Sequence, residues 1–334
     1  MVTEQPDPGR AERRAERLDD RAAGLLLPGR PVRGHKGTFG KLLVVAGSLD
    51  YAGAALLVCQ AAGRAGAGLV TLAVPESLQP LFAAKVVEAT TLALTEDDVE
   101  EVDPEPALAR ILDHEHDALV VGPGLRPSLA SAALIRGILA AGAGDDASPA
   151  VIDAEALRSL AAEDGWWEGL VRPCVLTPHA GEFRRLRAAA GVDPAADGDL
   201  AEDDAARLAA ARDAARAWGH VVVLKGAHTV IAAPDGSVAV AMFENPALAT
   251  GGTGDVLAGT IGGLLAQGLA PYGAACLGVH LHGLAGEAVR HRVGDAGLLA
   301  GDLPFEIARA RHRLALDVAR RAGVGTLGFG RPAG

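Results

Sequence analysis

The chain has 334 residues, 49% of them hydrophobic, enough to bury one large core or two small ones. Its net charge of -11 opposes binding to nucleic acid or to an anionic membrane surface, and an aromatic content of 3% leaves few platforms on which bases could stack. Three cysteines, Cys59, Cys174 and Cys276, lack CxxC spacing, so neither a disulfide framework nor a cysteine zinc site is indicated and a cytoplasmic setting is expected.

Residues 1–30 carry charges of both signs and no strand-like run. They read as a polar N-terminal extension outside the core, with one helix expected at Ala11 to Ala23 and no signal peptide visible. A basic, glycine-rich loop from Arg33 to Lys41 then leads into the apolar run Leu42 to Ala46, which stops at Gly47-Ser48. A helix is expected from Gly53 to Gly66 and a strand at Leu69 to Ala73. Gln60 and Arg64 interrupt the alanine-rich stretch here, so it is not a membrane span. Further buried strands are expected at Ala118 to Gly122, Ala150 to Asp153, Cys174 to Thr177 and Val221 to Lys225, alternating with helices at Pro127 to Ala141, Ala154 to Ala162, Gly181 to Ala190 and Asp203 to Trp218. After Lys225 the rhythm changes to a hairpin, Thr229 to Ala233 and Ser237 to Phe243, turning at Pro234-Asp235-Gly236. Three helices, Asp255 to Gly268, Pro271 to Arg292 and Pro304 to Ala322, close the pattern. No repeat or composition break divides residues 31–324, which read as a single domain, a three-layer α/β/α sandwich with a mostly parallel sheet, followed by a tail at 325–334.

The glycine and polar clusters with functional character all follow expected strands: Gly47-Ser48 with Tyr51 to Ala54, Gly122-Pro123-Gly124, Asp153-Ala154, Thr177 to Glu182, and Lys225 to Thr229. They would therefore emerge together at the carboxyl edge of the sheet, where such folds bind ligands. Any one glycine there could simply make a turn. The stretch Asn245 to Gly259, NPALATGGTGDVLAG, adds a glycine-rich turn at a helix start, where unpaired backbone N–H groups and the helix dipole hold an anion. Asp255 in that first turn would ordinarily be a dipole complement. Beside a phosphate site it is better read as the group that aligns an attacking hydroxyl for phosphoryl transfer, since a free carboxylate is too weak a base to deprotonate an alcohol outright. Lys225 ends a Val-Val-Val-Leu run and is costly to bury, which points to a phosphate contact. His179 and Glu182 lack helical zinc spacing, and a helix cap by Thr177 with Glu182 in the first turn is the plainer alternative. His114-x-His116 and His280-x-His282 read as solvated or core histidines, and Trp166-Trp167 as packing. Neither a GxxxxGK[ST] loop nor a GxGxxG fingerprint is present.

The ordered set HKGTFGKLLVVAGS, VGPGL, VIDAEAL, TPHAGE, KGAHT and NPALATGGTGD resembles the ADP- or ATP-dependent NAD(P)H-hydrate dehydratases of the ribokinase-like superfamily, over Gly34 to Val289. The resemblance implies repair of the hydrated, inactive S form of NADH or NADPH: phosphorylation of the added hydroxyl by ADP or ATP, then loss of phosphate. It implies Asp255 as base and hydrate contact and Gly252, Thr253 and Gly254 as the anion hole. Lys225, Gly226, Ala227, His228 and Thr229, with Gly254, would contact the nucleotide, and Ala54, Gly124 and His179 the hydrated dinucleotide. Mg2+ use and a homotetramer are further family traits, with no metal-ligating residue assigned. Arg126 departs from the pattern, standing where many relatives continue GPGLG with glycine. Many relatives also carry a fused epimerase domain on the N-terminal side, which would here be a separate chain. The rival readings are a thiazole or pyrimidine-alcohol kinase of the same superfamily, against which TPHAGE and HKGTFGK argue, and a nucleotide sensor without turnover, which would not need Asp255.

Overall fold

The computed structural model describes residues 15–142 and 147–322; the tail at 325–334 and the first 14 residues of the expected extension lie outside the described residues. In chain order the elements are β1 (Glu16–Leu18), α1 (Asp20–Leu25), β2 (Lys41–Val45), α2 (Ala52–Ala65), β3 (Leu69–Pro75), α3 (Gln79–Ala83), β4 (Thr90–Leu94), β5 (Glu96–Asp98), β6 (Glu101–Val102), α4 (Pro104–Asp113), β7 (Ala118–Val121) and α5 (Leu129–Ala140). They continue with β8 (Ala150–Ile152), α6 (Glu155–Leu160), β9 (Cys174–Leu176), α7 (Ala180–Ala189), α8 (Asp204–Trp218), β10 (Val221–Leu224), β11 (Thr229–Ala232), β12 (Val238–Ala241), α9 (Thr253–Ala266), α10 (Pro271–Val293) and α11 (Leu303–Arg321).

A 10-stranded sheet runs in the order β1-β12-β11-β10-β9-β8-β7-β2-β3-β4. From β10 to β4 neighbours pair in parallel, and β11 alone runs against the rest, as the middle strand of the expected hairpin edge. The strand side chains alternate between the two faces, as a sheet covered on both sides requires. Leu42 and Val44 of β2 join the core under α2, α9, α10 and α11, while Leu43 and Val45 join the core under α4 to α8.

The start of the described chain corrects the expected helix at Ala11 to Ala23. Glu16–Leu18 is a strand paired in parallel with β12, and the helix begins only at Asp20, capped by Asp19, whose Oδ1 accepts the Ala22 N–H at 2.8 Å. Leu18 and Ala23 are buried, and His280 of α10 lies 2.7 Å from Asp20, so this segment packs on the core. The edge strand β4, TTLAL, and helix α4 were not anticipated. At the edge only Leu94 of β4 is buried, which leaves no continuous apolar run to read.

One contact positions the site more than any other. A Cβ on Gly259 would lie 2.3 Å from the Val58 carbonyl oxygen, and one on Gly263 would lie 2.6 Å from that of Ala62. Glycines thus let α9 press against the α2 backbone, running parallel to it. Continued toward the helix starts, the same register sets Asp255 level with Ala54.

Candidate active site

The expected strand-end loops do converge at the carboxyl edge. Gly47 donates its N–H to the Pro123 carbonyl at 2.9 Å, and the Cα face of Gly124 abuts Tyr51 and Ala54, so the loops after β2 and β7 form one surface at the start of α2. Arg126 is exposed on the rim of a small cavity shared with Ser48 and Glu100.

Gly252 caps α9 with φ 91, a left-handed conformation, and a Cβ there would lie 2.7 Å from Leu57 Cδ1. Thr253 proves to be a clamp. Its hydroxyl lies 2.8 Å from the Leu248 carbonyl oxygen and 2.9 Å from that of Thr250, and its N–H also donates to Thr250 at 3.4 Å. Val256 donates back to Gly252 at 3.2 Å, so the N–H groups of Gly254 and Asp255 are the ones the first turn leaves for an anion. Of the expected hole of Gly252, Thr253 and Gly254, the Thr253 N–H is thus engaged within the loop, and the Asp255 N–H stands next to that of Gly254.

Around this turn lies a cluster of charges. Lys225 Nζ donates to Asp153 Oδ1 at 2.8 Å and lies 4.0 Å from Glu182 Oε2. Burial works against the Lys225 charge, but Asp153 and then Glu182 outweigh it and hold the ammonium above its ordinary value. Burial raises the Asp255 carboxyl to about 6, with the Asp153 charge adding to the rise and Lys225 opposing it. Asp153 and Glu182 belong to the strand-end clusters expected to converge here, though neither was given a role of its own, and His282 was not among the expected site residues. His282, expected as a solvated or core residue, lies 2.9 Å from the Thr253 carbonyl oxygen through Nε2, and burial holds its imidazole down at about 4.

A cavity of about 630 Å³ opens beside α9, lined by Lys225, Gly226, Ala227, Thr229, Phe243, Leu248, Leu257 and His282 among others, and it reaches Gly254. Its walls are largely apolar, which suits a flat base, while its polar end meets the α9 turn. His228 differs from its four neighbours. With φ 51 it turns away to place Nδ1 2.5 Å from Asp204 and Nε2 2.8 Å from Glu244, so it anchors the loop and does not line the cavity. Buried Arg207, donating to the Leu224 and Lys225 carbonyls at 2.9 and 3.2 Å, braces the loop from below.

His179, and not Thr177, caps α7. Its Nδ1 accepts the Gly181 N–H at 3.0 Å while Glu182 Oε2 accepts the His179 N–H at 2.9 Å. An Nδ1 used as acceptor leaves the proton of a neutral ring on Nε2, and with the side chain 57% exposed that N–H can donate to a ligand. Among the described residues no group of three His, Cys, Asp or Glu side chains could hold a metal ion, and no helix is long and apolar enough to cross a membrane.

A family model described as NAD(P)H-hydrate dehydratase matches residues 42–309. The chain is 42% identical over 280 residues to the bifunctional NAD(P)H-hydrate repair enzyme Nnr of Moorella thermoacetica, covering 83% of this chain and 50% of that protein. It is 37% identical to the ADP-dependent (S)-NAD(P)H-hydrate dehydratase of Neisseria meningitidis serogroup B, covering 84% of this chain and 88% of that one. The chain thus spans about half the length of the bifunctional relatives and most of the length of the shorter one. Among solved structures, the ADP/ATP-dependent NAD(P)H-hydrate dehydratase from Bacillus subtilis, co-crystallised with ATP/Mg2+, aligns with a TM-score of 0.73 at 31% identity, covering 90% of this chain and 99% of that chain. The fold is ribokinase-like, as the motif order implied.

Proposed function

Given that the chain belongs to the NAD(P)H-hydrate dehydratase family, we propose that it restores the hydrated S form of NADH or NADPH by transferring a phosphoryl group to the added hydroxyl and releasing phosphate. The observation that carries this reading is the half-buried Asp255 carboxylate in the same helical turn as two unpaired N–H groups. Phosphate held by the Gly254 and Asp255 N–H groups lies beside a carboxylate able to orient a hydroxyl. The donor nucleotide occupies the cavity beside Lys225, Gly226, Ala227 and Thr229, with its terminal phosphate at the α9 turn. The dinucleotide lies across Ala54 and Gly124, with His179 Nε2 available as a donor. As the hydroxyl oxygen bonds to phosphorus and the bond to the leaving nucleotide breaks, its proton passes late to Asp255. Phosphate then departs from carbon, and the double bond of the reduced nicotinamide forms as a ring proton is lost.

ADP is the donor named for the Neisseria relative, and ADP or ATP for the Bacillus one. The residues do not form a cage for Mg2+, because the Lys225 ammonium already pairs with Asp153 and stands near Glu182. A Mg2+ ion would arrive on the nucleotide phosphates, as this ion commonly does, and no step above depends on it. A homotetramer rests on family resemblance and is read out by light scattering. The alcohol-kinase rival finds no support among these relatives.

The decisive experiment incubates the chain with hydrated NADH and ADP or ATP and follows return of the reduced-nicotinamide absorbance in the near ultraviolet. No return with either donor, accompanied by a stable phosphorylated product from a small alcohol, would favour the kinase.

A further inference from the structure

Resting on that reading of the α9 turn, one buried charge has no role yet. Asp153 follows β8, and its side chain is only 3% exposed. Two backbone features hold it. Ala154, the next residue, has φ 50 and ψ -117, a conformation that residues with a Cβ avoid. Gly122, with φ 119, approaches so closely that a Cβ there would lie 2.0 Å from the Asp153 carbonyl oxygen. Strain of this kind persists where the surrounding structure over-determines it, and it gathers at sites whose geometry matters.

The Asp153–Lys225 pair faces the α9 turn: a Cβ on Gly254 would lie 3.5 Å from Lys225 Nζ and 4.0 Å from Asp153 Oδ2. The titratable groups around it come from every adjoining element, with Glu182 on α7, Asp255 on α9 and His282 on α10, and His179 stands beyond Glu182. An ammonium has three N–H donors on a flexible stem. Asp153 takes one of them and thereby sets the direction of the other two.

We propose that Asp153 is a positioning residue for phosphoryl transfer: its carboxylate aims the Lys225 ammonium at the space in front of Gly254, where the transferring phosphate sits, and itself stands beside the turn that carries Asp255. Charge alone would favour removing Asp153, since a carboxylate near a phosphate site weakens anion binding. Its place in a strained turn is accounted for by the aim it imposes on Lys225.

Asp153→Asn keeps the shape and removes the charge. Nucleotide affinity, measured by calorimetry with ADP, is expected to be unchanged or tighter, while kcat falls roughly 10- to 100-fold, as misplaced catalytic groups commonly cause. The acid limb of the kcat/KM profile and the 13C carboxyl titration of Asp255 in the nucleotide-free protein should both move to lower pH. The titration needs no turnover, so it still tests the coupling if the proposed substrate proves wrong. An Asp255 titration that does not move, or a kcat equal to wild type, overturns the proposal. Should the Asn variant not fold, Asp153→Glu, which keeps the charge on a longer arm, is expected to fold with lowered kcat and an unmoved acid limb. Wild-type kcat in that variant would equally overturn it.

Discussion

Asp255→Asn should make the protein more stable while nearly abolishing turnover. The folded structure raises the Asp255 carboxyl from 3.8 to about 6, by burial first and by Asp153 second. The unfolded chain therefore loses this proton earlier than the folded one as pH rises, so ionisation costs stability progressively between those two values and the full cost stands above them. A little over two units at 1.36 kcal/mol each sets an upper bound of about 3 kcal/mol. Asparagine escapes this cost, and the gain, worth roughly 2–4 °C of Tm per kcal/mol in a large domain, should be present at neutral pH and vanish near 3.8. Turnover in the same variant should drop by roughly 10² to 10⁴ with ADP affinity retained, because asparagine cannot accept the proton. Urea unfolding at two pH values, with turnover measured in parallel, reads both effects. A stability change independent of pH would refute the electrostatic account, and near-wild-type turnover would remove Asp255 from the chemistry.

Lys225→Ala leaves Asp153 buried without its partner, so it should weaken ADP binding and also destabilise the fold, by about 3 kcal/mol if the site stays dry; unchanged stability would show that water reaches the carboxylate. Gly259→Ala places a methyl carbon 2.3 Å from the Val58 carbonyl oxygen, so α2 must move. It should cost about 1–3 kcal/mol in urea unfolding and impair nucleotide and dinucleotide sites together, and selective loss of one would contradict a shared register. His228 is held above its ordinary value chiefly by the bond to Asp204. Its contribution to stability is therefore complete below 6.5 and lost as pH rises through the raised value, and His228→Ala should flatten that part of the thermal-stability profile.

The layer order and the carboxyl-edge convergence were legible because long apolar runs such as Leu42 to Ala46 and Val221 to Leu224 leave no other assignment. Edge strand β4 was not, since half its surface faces solvent and its threonines break the run. The GGTGD turn was readable from its glycines as a tight turn into a helix start. That Thr253 spends both its donors inside the loop, and that His179 caps α7, depend on where carbonyls and ring nitrogens fall in space. Asp153-Ala154 was legible as one strand-end cluster among several, but the pairing of Asp153 with Lys225, 72 residues away, was not. The HKGTFGK stretch, so distinctive in sequence, precedes β2 and lies at the amino edge, away from the chemistry.

The glycine contact between α2 and α9 has an electrostatic consequence. Two parallel helices that begin at one level bring two partial positive ends together, and these repel each other until an anion settles in front of them. The empty protein therefore holds a mutual repulsion that bare phosphate can relieve, and thermal stabilisation by inorganic phosphate alone should follow. On the proposed function, attraction for the phosphate that nucleotide and dinucleotide share follows from how two helices pack. Telling the two apart is left to the walls around them.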